Sequence, residues 1–380
     1  MAKKYFLFLL MFSMTIQASV AQTVTGSFTY DGLLRDYRVH LPPGYNSFEN
    51  LPLVFNLHGF GSNAIQEEAY TQLDQVADTA RFIAVYPNGV NNTWDISGGG
   101  VDDVGFLSAL IDTIDAQYNI DLSRVYSCGM SMGGYMSYRL ACELTCRIAA
   151  IASVTGALAT FPCDPSRPIP VMQIHGTADT TVPYSLAAPT IQAWLQKNNC
   201  PTTPLVTNLP DINTADNCTA TKDYYGLCDD STEVILYTIN GGEHTWPDAF
   251  IDIGVTNKDF NASETIWGFL KKYRLKNEVL IASGCDTIPV VSSVFSMDAQ
   301  KINHRIYPNP SLGEITIKTD VKAQEVITFY LFDVFGKEVK RQEMASQFTN
   351  ITTDELAPGV YFYRISNTDG IRAKGKVIIL

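Results

Sequence analysis

Apolar and polar positions along the chain change period several times, and those changes mark out its elements. Val24–Tyr30 and Leu34–Leu41 predict opening strands, the second alternating through Tyr37, Val39 and Leu41. A short apolar run, Leu53–Leu57, leads into His58-Gly59-Phe60-Gly61 and then a helix-like stretch from Ala64 to Ala80. Phe82–Tyr86 is a continuous apolar run, stopped by Pro87-Asn88-Gly89. From Asp102 to Tyr118 the period is helical, with Val104, Leu107, Leu110, Ile111 and Ile114 on one face. The strand Arg124–Cys128 runs straight into Gly129-Met130-Ser131-Met132-Gly133-Gly134 and an amphipathic helix reaching Leu144. Further strands are expected at Ala149–Val154, Ile169–Ile174 and Val234–Ile239, and helices at Ser185–Lys197 and Ala262–Tyr273. Strands alternating with helices of this length predict an α/β fold, a mostly parallel sheet covered on both faces.

The pattern lapses around Ile281–Asn303, a Ser/Val-rich link, and resumes with a different grammar. Short alternating runs (Ile315–Lys318, Val326–Phe332, Val360–Ile365, Lys374–Leu380) separated by Gly, Pro and Asn turns predict a small β-sandwich. At the other end, Lys3 and Lys4 precede the apolar run Tyr5–Ile16 and the small residues Ser19-Val20-Ala21. That is the pattern of an export signal cleaved before Gln22, and the run is shorter than the ~20 residues of a membrane span. The expected organisation is therefore residues 1–21 signal, 22–276 α/β domain, 277–303 link and 304–380 β-sandwich.

Composition narrows the function classes. Of 380 residues 46% are hydrophobic and 17% charged, which excludes wholesale disorder. A net charge of −12 without a basic stripe argues against nucleic acid or an anionic membrane surface as partner. Eight cysteines in an exported chain predict disulfides, although that number permits on the order of a hundred connectivities. No Cys-x-x-Cys pair or His-rich partner set is present, so zinc is disfavoured and no metal or organic cofactor is expected.

Gly129-x-Ser131-x-Gly133 between a strand and a helix is the pattern of a nucleophile elbow, a turn so sharp that the residues two positions either side of the serine can carry no side chain. A serine hydroxyl needs a base, and the chain has five histidines. His40 lies in an opening strand, His58 and His175 each precede a glycine at a strand end, and His304 precedes the tail. His244, on a loop after the last strand of the large domain, alone fits the chain order serine, acid, histidine. Asp179, just past the strand Ile169–Ile174, is the expected acid, holding the imidazole by its other ring N–H. An Asx-turn is its alternative role, and Asp211 and Asp230 are poorer rivals in a polar stretch. The oxyanion needs two backbone donors: Met132 N–H at the helix start, and Phe60 N–H (Gly59 second) from the loop His58–Gly61. Trp94 and Trp246 could floor a substrate pocket, and core packing accounts for each equally well. Asp102-Asp103 read as helix caps.

From Thr23 to about Leu275 the chain resembles the esterase family that includes feruloyl esterases and polyhydroxybutyrate depolymerases. The resemblance is carried by Leu57-His58-Gly59, Asp102-Asp103-Val104-Gly105-Phe106, Cys128–Gly134, Leu140-Ala141-Cys142-Glu143, His175–Asp179 and His244-Thr245-Trp246-Pro247. It implies an α/β-hydrolase fold, the triad Ser131, Asp179 and His244, and a disulfide between Cys200 and Cys228. The chain departs from the family in having Glu243 and Asp248 where glycines are common. The tail is similar to a type IX secretion sorting domain, through Tyr307-Pro308-Asn309-Pro310, Phe335-Gly336-Lys337, Leu356–Tyr361 and Gly375-Lys376-Val377. The implied protein is secreted, engages that secretion machinery, and hydrolyses a polymeric or small ester: feruloyl or acetyl groups on plant polysaccharide, or else a polyester such as polyhydroxybutyrate. A peptidase lacks room for its usual accessory domain, and a secreted binding protein on an inactive fold is the non-enzyme alternative.

Overall fold

A computed structural model describes residues 21–46, 49–276, 304–320, 327–333, 338–344, 346–367 and 370–379. The expected signal sequence, but for Ala21, and the link 277–303 lie outside these. The chain divides into two compact units, Met1–Ile288 and Pro289–Leu380. Among the described residues no helix is long and apolar enough to cross a membrane.

In the first unit, β1 (Gln22–Tyr30), β2 (Leu33–Leu41), β3 (Leu51–Leu57), β4 (Ile83–Pro87), β5 (Ile120–Met130), β6 (Ala150–Val154), β7 (Val171–Gly176), β8 (Leu205–Asn208), β9 (Thr219–Tyr225) and β10 (Val234–Asn240) form one sheet. Its order is β1-β2-β4-β3-β5-β6-β7-β10-β9-β8. The stretch β4-β3-β5-β6-β7-β10 is parallel, and the antiparallel pairs β1–β2 and β9–β8 finish the two edges. β3, β4, β6 and β7 are buried along their whole length, as strands covered on both faces must be. On one face α1 (Ala64–Thr71), α2 (Leu73–Ala80) and α6 (Ala262–Leu270) supply Leu73, Ala77, Ile266 and Phe269 to a core around Tyr86 and Tyr126. On the other, α3 (Asp103–Tyr118), α4 (Met132–Glu143) and α5 (Ala187–Lys197) bury Leu107, Ile111, Tyr138 and Trp194. The α/β arrangement expected from periodicity is the one observed.

Two local readings are corrected. The single helix expected over Ala64–Ala80 is two, because Gln72 sits at φ 50°. The Thr71 carbonyl, released by that break, instead accepts the Ser263 hydroxyl of α6 at 2.7 Å. The polar segment before β10 contains β8 and β9, which no alternation of apolar residues announced, since all four residues of β8 are exposed.

The disulfide Cys200–Cys228 is present and closes the chain around this β8–β9 excursion. A second, Cys142–Cys163, ties the end of α4 to the loop beyond β6, and Cys146 is disulfide-bonded as well. Cys128 and Cys218 are buried free thiols. With its partners 28 positions apart in sequence, removing Cys200–Cys228 by double serine substitution is expected to cost about 3–4 kcal/mol, read from the urea unfolding midpoint.

In the second unit β11 (His304–Tyr307), β12 (Glu314–Thr319), β13 (Ile327–Phe332), β14 (Glu338–Met344), β15 (Phe348–Thr352), β16 (Gly359–Asn367) and β17 (Gly370–Ile379) form two antiparallel sheets, ordered β11-β12-β15 and β14-β13-β16-β17. Ile315, Ile317 and Ile351 from the first meet Phe329, Leu331, Ile365 and Val377 from the second in one core. That is a small sandwich, with β11, β14 and β15 added to the runs legible in sequence.

Candidate active site

Ser131 stands between β5 and α4 at φ 53°, ψ −119°, backbone that only glycine adopts without strain. The turn is possible because the residues two positions either side of Ser131 are glycines. A Cβ on Gly129 or Gly133 would strike the carbonyl of Leu57, and one on Gly134 would strike Ser153 Oγ. Ser131 N–H donates to Val154 O at 2.8 Å, fixing the elbow to the end of β6. Its Oγ makes no hydrogen bond among the described residues.

Asp179 lies three residues beyond β7 and is buried. One carboxylate oxygen, Oδ1, accepts Thr181 N–H at 2.9 Å and Val182 N–H at 2.8 Å, forming the turn considered as its alternative role. The other, Oδ2, faces Nδ1 of His244 at 2.7 Å. Both roles coexist because the carboxylate has two oxygens. Burial pushes this carboxyl up, but hydrogen bonds from His175, His244 and Val182 outweigh it and hold the group well below the usual carboxylate range.

His244 follows β10, the parallel neighbour of β7, and is half-buried. The two loops are stitched together: Thr177 N–H donates to Ile239 O and Ala178 N–H to Gly242 O, both at 2.9 Å. Gly176 allows this closeness, since a Cβ there would meet Gly242 O. With Nδ1 on the carboxylate, Nε2 is the ring atom left to take a proton. The three groups thus follow β5, β7 and β10, strands separated only by β6, at their shared C-terminal edge. Tyr135, one turn into α4, has its hydroxyl raised by burial and then by the Asp179 charge, which ties the elbow helix to the acid.

The loop after β3 approaches the nucleophile. A Cβ on Gly59 would lie 3.4 Å from Ser131 Cβ and 4.0 Å from its Oγ. Phe60 beside it is 73% exposed, and Met132 is the first residue of α4, where an N–H has no intrahelical acceptor. His58, set aside in sequence as a base, braces this loop: Nδ1 contacts Gly59 O at 2.8 Å and Nε2 accepts Gly89 N–H at 3.0 Å. Burial lowers its pKa, keeping the ring neutral for that pairing.

The pocket role considered for the two tryptophans gives way to packing. Trp94 is 3% exposed, donates to His58 O at 2.9 Å and lies against the His58 ring; Trp246 is 1% exposed and donates to Ser263 Oγ at 3.2 Å. Neither offers a ring face to a ligand. Trp246 instead anchors the histidine loop, because its backbone N–H also donates to Tyr70 Oη at 3.2 Å. Ser263→Ala, which orphans both Trp246 Nε1–H and Thr71 O, is expected to cost about 1–3 kcal/mol in thermal unfolding. This anchor was invisible in sequence, its partners being 176 residues apart for Tyr70.

Glu243 turns its carboxylate to Val255 N–H at 2.9 Å, so it shapes a loop, and Asp248 occupies φ 59°, backbone that glycine adopts readily. Asp102 caps α3 through Gly105 N–H, while Asp103 pairs with buried Arg35 at 2.6 Å. The rival Asp230 pairs with Lys276. His40, Glu68 and Asp74 bring possible ligand atoms within 4.8 Å of one another, but these are engaged, His40 with Asp78 and Thr23, Asp74 with Tyr86 and Glu68 with Arg38. They clamp β2 to α1 and α2.

Residues 35–188 match the family described as Esterase PHB depolymerase, and residues 305–380 match the secretion system C-terminal sorting domain. The chain is 30% identical over 251 residues to a bifunctional acetylxylan esterase/xylanase of Neocallimastix patriciarum, covering 65% of this chain and 35% of that protein. It is 27% identical over 234 residues to feruloyl esterase D of Neurospora crassa, covering 59% of this chain and 77% of that protein. Among solved structures, an acetyl xylan esterase from Aspergillus awamori superposes with TM-score 0.46 at 17% identity, covering 58% of this chain and 94% of that one. The chain thus carries a segment that matches an esterase family and a C-terminal segment that matches a secretion sorting domain, and is a secreted protein.

Proposed function

We propose that this chain is a serine carboxylic ester hydrolase that releases feruloyl or acetyl groups from plant polysaccharide through an acyl-enzyme. The observation that carries the reading is the 2.7 Å contact of His244 Nδ1 with buried Asp179, on loops at the same sheet edge as a serine held at positive φ. Ser131 Oγ attacks the ester carbonyl carbon as His244 Nε2 takes its proton. The carbonyl oxygen becomes an anion facing Phe60 and Met132 N–H. Collapse breaks the bond to the alcohol, which leaves with the proton from His244. Water then attacks the acyl-serine, gives a proton to His244, and the acid departs as Ser131 recovers its hydrogen. The Asp179 carboxylate stays ionised throughout and steadies the imidazolium.

The polysaccharide assignment rests on the names of the relatives. A polyester reading has its own support in the family match and in the exposed side chains Phe60, Ile65 and Phe250, which suit an apolar polymer. The purified protein, given methyl ferulate, acetylated xylan and polyhydroxybutyrate film, is expected to turn over the first two. Film erosion alone would transfer the assignment to polyesters. Inertness toward all three, with no labelling by a fluorophosphonate, would return the fold to a binding role.

A further inference from the structure

A cavity of about 400 Å³ opens on the β2 side of the candidate site between the start of β2 and the turn after β4. That volume falls within the ~300–1,000 Å³ of small-ligand clefts. Its rim is joined to the nucleophile by short steps: Asn92 O accepts Gly61 N–H at 2.8 Å, and Gly59 in the same loop packs against Ser131.

The lining is of two kinds. Leu33, Leu34 and Val90 form an apolar wall, with Leu34 72% exposed. Asp36, Asn91 and Asn92 supply polar groups. Asn88 is spent, its Oδ1 on Ala64 N–H and its Nδ2 on Asp36 Oδ2, which leaves Asp36 Oδ1. Behind them Arg35 is 2% exposed, stacks on Phe106 at 3.7 Å, and has Nε and Nη1 without partners while Nη2 serves Asp103 and Asn88 O.

The chemistry selects the occupant. The Asp36 carboxylate, in a chain of net charge −12, repels an anion. The amides and carboxylate would be stripped of water for nothing by a purely apolar group. A sugar ring has an apolar C–H face and a rim of neutral hydroxyls that both donate and accept. It fits the leucine wall and the Asn/Asp edge together. The geometry points to this cleft as a carbohydrate subsite that holds neutral sugar units of the polymer while their ester reaches Ser131. The inference rests on the polysaccharide-ester reading and says which surface reads the polymer.

Its test uses the full chain and the double variant Leu34→Ser/Asn91→Gly, in which glycine keeps the φ of 55° found at Asn91. Ester-free xylohexaose is titrated by NMR, and kcat/KM is measured on a feruloylated xylo-oligosaccharide and on methyl ferulate. Xylohexaose should shift signals from Leu33–Asp36 and Asn88–Asn92. The ratio of kcat/KM for the oligosaccharide ester to that for methyl ferulate should fall about tenfold in the variant. Shifts confined to other surfaces, or an unchanged ratio, overturn the subsite. If no ester is hydrolysed but xylohexaose still shifts these signals, the hydrolase reading fails and the sugar cleft stands.

Discussion

Replacing Ser131 by alanine is expected to lower kcat on methyl ferulate roughly a million-fold and to abolish fluorophosphonate labelling, with no loss of fold. Both halves follow from the elbow. The hydroxyl is the atom that attacks, and it makes no hydrogen bond among the described residues, so deleting it orphans nothing. The strain at φ 53° belongs to the backbone and is the same for alanine, which keeps the Cβ packed against Gly59. Stability should therefore shift by less than about 0.5 kcal/mol. A variant that retained a percent of wild-type turnover would place the nucleophile elsewhere.

Asp179→Asn is the second large effect, about 10⁴-fold in kcat. The asparagine Oδ1 can still accept Thr181 and Val182 N–H, so the turn survives. Its NH₂, however, would face Nδ1 of His244, which must then accept a hydrogen bond and carry its proton on Nε2, the atom needed as base. The same carboxylate sets an acid limit on stability. Its pKa is depressed in the folded protein, so it contributes stability above the unfolded value near ~3.9 and loses it as pH falls below that toward the folded value. Urea midpoints measured from neutral to strongly acidic pH should show the variant with a flatter acid arm. A kcat loss under tenfold would mean that His244 needs no orienting carboxylate.

Much of this was readable along the chain, for physical reasons that can be named. The parallel strands are continuous apolar runs because both their faces are covered, and the elbow shows itself because only glycine fits two positions either side of Ser131. Asp179 and His244 could be placed by chain order after strands. The edge strands β8 and β9 could not, since β8 is exposed throughout and β9 is mostly half-buried, without a period that packing would impose. Nor could the break at Gln72, where the freed Thr71 carbonyl is met by a serine on α6 that lies far away in sequence. The aromatic residues misled for a related reason. Trp94 and Trp246 sit in motifs close to the site, yet their indole N–H groups find acceptors inside the protein, and sequence does not show which way a ring turns.

The two free thiols among the described residues bear on how the disulfides are kept once formed. Exchange requires a thiolate, and burial raises Cys128 well above its ordinary value. Cys218 is pushed up to about 12 by burial, with the neighbouring Asp216 carboxylate adding to it. Before the sheet closes, either sulfur can attack a wrong pairing and let the chain try again. After closure neither can ionise appreciably at neutral pH, so reshuffling stops and the cross-links become a record of the folding that made them.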